Sequence, residues 1–100
     1  MYQRLIRYRT KPDQADANAK LVEAVYAELH RTRPEGLSYA TFRLADGVTF
    51  IHVVQVLNEP NPLLTIKAFD EFQAGIGDRV DQPPVQEDLT EVGSYRFFAS

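Results

Sequence analysis

The sequence predicts one α+β domain with the order strand–helix–strand–strand–helix–strand. Three observations carry that expectation. Two segments have the apolar spacing of an amphipathic helix, and each lies between segments of strand composition. Asp46-Gly47 falls between two alternating runs, the strongest short-range hairpin signal. The chain has 100 residues, 44% hydrophobic and 25% charged, which is the size and balance of a single globular domain.

The first strand is read over residues 2–9, rich in aromatic and branched side chains and ended by Lys11-Pro12. Asp13 is placed to cap the helix that follows, with Asp16 in its first turn. Ala17, Leu21, Val22, Val25, Tyr26 and Leu29 recur at the spacing of one buried helical face. Arg31 and Arg33 suit its C-terminal end, and Pro34 with Gly36 stops it.

Residues 37–44 and 49–57 read as the paired strands of the hairpin. A two-residue turn at Asp46-Gly47 sets Tyr39 opposite Val54, Thr41 opposite His52, and Arg43 opposite Phe50. In the second half Asn61 is a good N-cap and Pro62 a good first helical residue. Leu63, Ile66, Phe69, Phe72 and Ile76 form the buried stripe, and Gly75 and Gly77 end the helix. Residues 81–84, Asp-Gln-Pro-Pro, read as a loop, and residues 89–98 as the closing strand, with Gly93 a bulge or close approach.

Each half thus repeats strand–helix–strand, the ferredoxin-like plan of a four-stranded antiparallel sheet with two helices on one face. The other face is left uncovered, and a second copy of the sheet is the simplest cover, which makes the expected assembly a homodimer. Such a short chain also gains from the added burial.

Composition narrows the function. A formal net charge of −3, without a basic face, argues against nucleic acid. No apolar run approaches the roughly 20 residues that cross a membrane, so no membrane association is expected. The N-terminus lacks the apolar stretch of a signal peptide, and the absence of cysteine suits a reducing compartment, so the expected location is cytoplasmic. Without cysteine there is no thiolate chemistry and no cysteine-held zinc. Two histidines on separate elements make no metal centre, and no motif calls for a cofactor.

The hairpin register sorts its side chains into two sets. Ala40, Phe42, Leu44, Ile51 and Val53 are apolar and suit packing beneath the helices. Tyr39, Thr41, Arg43, Phe50, His52 and Val54 mix aromatic, cationic and hydroxyl groups, and are assigned to the interior of the barrel between two sheets. Arg7 is placed on the His52 side, because a guanidinium fits poorly under a helix. His52 is the first candidate for chemistry, as an imidazole titrates near neutrality and serves as a general base. Arg43 is the second candidate, steadying developing charge. Thr41 would orient the ring, and Tyr39, Phe50 and Arg7 would line a small-molecule pocket. Against this stands the plainer reading of a strand histidine as a hydrogen-bonded structural residue.

The opening strand ending in Lys11-Pro12, the segment Glu35-Gly36-Leu37-Ser38-Tyr39 and the hairpin through Asp46-Gly47 together resemble the dimeric α/β-barrel superfamily. Within it the chain is most similar to the antibiotic-biosynthesis-monooxygenase-like domains. The resemblance implies a dimer whose two sheets close a barrel, in a family whose functions include cofactor-free oxidation of quinols and polyketides, isomerisation and haem breakdown, and many of whose members have no known role. Several oxidising members use a tryptophan and an asparagine in the pocket. This chain has no tryptophan, and its asparagines are Asn18, Asn58 and Asn61. The haem-degrading members use a helical histidine, where His52 reads as a strand residue. Two functions follow as expectations: a cofactor-free monooxygenase-like enzyme acting on a small aromatic or carbonyl compound, or a non-catalytic ligand-binding or structural homodimer.

Overall fold

The structure, a computed structural model, describes residues 1–97. Strand β1 spans Tyr2–Thr10, helix α1 Ala15–Thr32, β2 Leu37–Arg43, β3 Thr49–Val56, α2 Lys67–Ala74, α3 Ile76–Arg79 and β4 Val80–Leu89. The strands form one antiparallel sheet in the order β2-β3-β1-β4, the expected ferredoxin-like α+β arrangement.

Pro12 opens a 3-10 turn, Pro12–Gln14, that leads into α1. Asp13 lies inside this turn, and no side chain caps the helix, contrary to the role expected of it. The fully buried stripe of α1 is Ala15, Asn18, Val22 and Val25, while Ala17 is exposed. The helix therefore turns one polar residue, Asn18, toward the sheet. Arg33 closes α1 in the left-handed region at φ 48°, its N–H donating to Leu29 O at 2.8 Å.

The hairpin has the register read from Asp46-Gly47: Tyr39 pairs with Val54, Thr41 with His52, and Arg43 with Phe50. Gly47 takes φ 78° in the turn. The Asp46 carboxylate accepts from Thr49 Oγ1 at 2.6 Å and from the Thr49 and Val48 N–H groups at 2.9 Å each. Those bonds, the Thr49 hydroxyl first, hold its carboxyl down to about 2.

Asn61 caps the second helical segment, its side chain accepting from Leu63 N–H at 2.9 Å. The first turn is 3-10, and Ile66 then becomes extended before α2 begins. Glu28 of α1 reaches the exposed start of α2 and accepts from Lys67 and Ala68 N–H, each at 2.9 Å. Helix α2 ends at Gly75, whereas Gly77 lies inside α3.

The last strand differs from expectation. Val80 pairs with Thr10 directly after α3, and pairing continues to Leu89 opposite Gln3. The free edge of β1 is filled before residue 90 is reached, so residues 90–97 lie outside the sheet; Phe98 falls outside the described residues. The Asp81-Gln82-Pro83-Pro84 segment expected as a loop is part of β4. Its two prolines are tolerated because β4 is an edge strand and the register shifts between the Arg7–Val85 and Arg9–Gln82 pairs.

The sidedness of the sheet is also the reverse of that expected. Tyr8, Phe50, Val54 and Val56 share the core with Val22 and Val25 of α1 and Phe72 of α2, and His52 is buried among them. The Tyr39–Thr41–Phe50–His52–Val54 set therefore lies beneath the helices. The set assigned to the helices forms the open face, where Ile51 and Val53 are half-buried and Phe42 is 46% exposed. Arg7 pairs with Ile51 and is exposed there, on the side opposite His52. Burying the polar set costs little because its members bond to one another: among the described residues no buried side-chain polar atom lacks a partner.

Candidate functional site: a histidine between two tyrosines

The register that pairs His52 with both Ile6 and Thr41 places it at the middle of the sheet, 3% exposed. Tyr8 lies two positions along β1 from Ile6 on the same side, and its Oη is 2.8 Å from His52 Nε2. On β2, Tyr39 Oη is 2.6 Å from His52 Nδ1, and Thr41 Oγ1 is 3.1 Å from the same atom. Both ring nitrogens are thus engaged by hydroxyls. Tyr26 of α1 stacks on Tyr39 at 5.3 Å and meets Thr41 Oγ1 through its hydroxyl at 2.8 Å.

The network continues beneath α1. Asn18 Nδ2 donates to Tyr8 Oη at 2.8 Å, and Arg79 Nε donates to Asn18 Oδ1 at 3.0 Å. Arg79 Nη2 donates to Phe72 O at 2.6 Å, and the guanidinium lies 5.2 Å from the Phe72 ring centre.

Burial sets the acid–base state. Desolvation pushes His52 down to about 4, so the imidazole is neutral at pH 7. It pushes the phenols of Tyr8 and Tyr26 up to about 12, against the lowering effect of their hydrogen bonds from Asn18 and Thr41, and Tyr39 higher still. The phenols are therefore neutral as well, and the cluster carries its protons in hydrogen bonds rather than as charge.

This cluster walls a cavity of about 560 Å³ between the sheet and α2. Ile6, Tyr8, Tyr39, His52 and Val54 line it from the sheet, and Leu63, Phe69, Phe72 and Ile76 from the helical side. Arg4, Asn61, Gln73 and Gln86 add polar groups to an otherwise apolar lining. The volume and the mixture suit one small organic molecule. Among the described residues no group of three histidines, cysteines or carboxylates is placed to hold a metal ion.

Of the residues singled out from the sequence, His52, Tyr39 and Thr41 meet in this cluster. Phe50 stacks on Tyr8 at 5.6 Å and backs the wall without lining it. Arg43 stands apart at the hairpin end, its Nε donating to Gly47 O at 2.7 Å and its Nη2 paired with Asp16 at 3.1 Å. Arg7 lies on the far face. Sequence reasoning missed Tyr8, Asn18 and Arg79. Asn18 did leave a signal, a polar residue at helical spacing between Ala15 and Val22. Arg79 left none, because an arginine near the end of a helix is ordinarily solvated.

No protein-family model and no curated protein matches the sequence. The fold has clear counterparts among solved structures. A candidate antibiotic biosynthesis monooxygenase from Nitrosomonas europaea superposes with TM-score 0.76 at 12% identity, over 93% of this chain and 100% of that one. A Nitrosomonas europaea protein of unknown function gives 0.72 at 15%, over 94% and 91%. A third structure, an antibiotic biosynthesis monooxygenase, gives 0.69 at 18%, over 93% and 100%. In fold, the chain is similar to these antibiotic biosynthesis monooxygenase structures.

Proposed function

We propose that this chain is a cofactor-independent, monooxygenase-like enzyme that acts on a small aromatic or carbonyl compound bound in the cavity beneath α2. The observation that carries this reading is His52, held neutral and hydrogen-bonded to two tyrosine hydroxyls that line the same cavity. A neutral imidazole is in its proton-accepting form. Its low basicity restricts it to acidic hydroxyls, such as those of phenols, quinols and enolised polyketides. Removing that proton gives an electron-rich anion that dioxygen can oxidise; one oxygen atom replaces two hydrogens of the substrate as a new carbonyl, and the other leaves as water with those two hydrogens, so the substrate supplies all the electrons. Tyr39 steadies the developing oxyanion, a role the position of Arg43 does not support.

The partner in this reading is a second copy of the chain, seated on the open face of Leu5, Phe42, Ile51 and Val53. The absence of cysteine and of any described helix long and apolar enough to cross a membrane supports a cytoplasmic location. A second reading, a non-catalytic ligand-binding homodimer, is favoured by the saturation of both His52 nitrogens, which is what a structural histidine requires. Turnover of quinol and polyketide compounds under air by the wild type, His52→Gln and His52→Ala separates the two. The enzyme reading expects loss of at least a hundredfold in both variants. Equal turnover in all three removes His52 from the mechanism.

A further inference from the structure

We infer that Arg79, acting through Asn18 and Tyr8, fixes which ring nitrogen of His52 carries the proton and so sets the direction of the hydrogen-bond chain across the sheet. A guanidinium only donates. Arg79 is 6% exposed and bonds to no carboxylate among the described residues; its Nε donates to Asn18 at 3.0 Å. The Asn18 amide must therefore turn its oxygen to Arg79 and its NH₂ to Tyr8, 2.8 Å away. The Tyr8 oxygen, having accepted that bond, has one hydrogen left to give. The acceptor within reach is His52 Nε2 at 2.8 Å. Neutral His52 then carries its proton on Nδ1 and donates it to Tyr39 Oη at 2.6 Å, with Thr41 Oγ1 at 3.1 Å beside it.

The opposite tautomer fails on the same count. It makes Tyr8 an acceptor toward both Asn18 and His52 and so leaves its buried phenolic hydrogen without an acceptor among the described residues. The backbone makes room for the device at Gly75, where a Cβ would stand 2.9 Å from Arg79 Nη1. Asn18 and Arg79 do not line the cavity, so both are positioning residues.

The consequence for proton transfer rests on the proposed function. An Nδ1-protonated imidazole takes up a proton only at Nε2, the Tyr8 side. The ligand hydroxyl passes its proton to Tyr8 Oη while the Tyr8 hydrogen moves to Nε2. This leaves a deprotonated ligand, a neutral tyrosine and an imidazolium.

The test needs no substrate. In the full chain labelled with ¹⁵N and carrying His30→Gln, the two-bond ¹H–¹⁵N spectrum at neutral pH reports one histidine ring. The expected pattern is protonated Nδ1 and bare Nε2. Asn18→Asp replaces the amide by a carboxylate that only accepts, so Tyr8 turns its hydrogen toward that carboxylate and accepts from His52; the expected pattern inverts to protonated Nε2. A protonated Nε2 without Asn18→Asp, or no inversion with it, overturns the inference. Should that variant fail to fold, Arg79→Met is measured instead. It frees the amide to turn and is expected to give signals of both tautomers, and a single protonated Nδ1 there overturns the inference. Absence of turnover with every compound tested would sink the proposed reaction and leave the tautomer result standing.

Discussion

The two sides of this sheet are built from alternate residues of the same strands, yet they solve opposite problems. On the helix side, Tyr8 and His52 are polar and buried, Tyr39 and Thr41 are half-buried beside them, and each of these side chains has a hydrogen-bond partner. On the open side, Ile51 and Val53 are aliphatic and half-buried, and Phe42 and Val85 are 46% and 59% exposed. Polarity alone does not say which face a core covers. A polar face goes inside when its groups can satisfy one another, and an apolar face stays out when, among the described residues, no helix packs on it. The first condition makes a cavity wall, and the second leaves the apolar surface that the proposed function assigns to a second copy.

The largest expected effect separates the sides by pH. A histidine in the unfolded chain takes up its proton near pH 6.5, whereas native His52 does so only near 4. Between those values the unfolded state binds more protons, so the contribution of neutral His52 is complete above pH 6.5 and is lost as pH falls toward 4. At about 1.4 kcal/mol per pH unit the full loss is about 3 kcal/mol. Urea unfolding across this range is expected to show that slope in the wild type and to lose most of it in His52→Gln. An unchanged slope in the variant would mean that the buried imidazole is not its source.

A smaller effect probes the other side. Ile51→Lys puts a charge on the open face without touching the tyrosine–histidine cluster. Sedimentation velocity is expected to show a dimer for the wild type and a monomer for the variant. Its folded monomer should lose no more than about 1 kcal/mol, and its melting should no longer depend on concentration. A wild type that sediments as a monomer at micromolar concentration would remove the second copy from the account. The smallest effect belongs to neither face. Arg43→Gln breaks a solvent-exposed pair with Asp16 and should change stability by under about 0.5 kcal/mol. A large loss of turnover in that variant would restore Arg43 to the mechanism.

The architecture was legible because it rests on local chemistry. Asp46-Gly47 sets the turn, the turn sets the register, and the register brings Thr41 and Tyr39 to His52. The sidedness was not legible, since it depends on contacts between distant elements: Asn18 on α1 and Arg79 after α2 complete the bonds that allow His52 to be buried. The last strand was misread for a related reason. Val85 and Leu89 are exposed on an edge strand and Pro83-Pro84 reads as loop, while residues 92–97 have strand composition but no edge of β1 left to join.

Chemical-shift mapping with a compound that binds, drawn from a panel of phenols, quinols and aromatic ketones, tests most directly which side of the sheet holds the site. The account predicts shifts concentrated at Tyr8, Tyr39, His52, Phe69 and Phe72, with Phe42, Ile51 and Val53 unmoved. Shifts confined to Phe42, Ile51 and Val53 would contradict it.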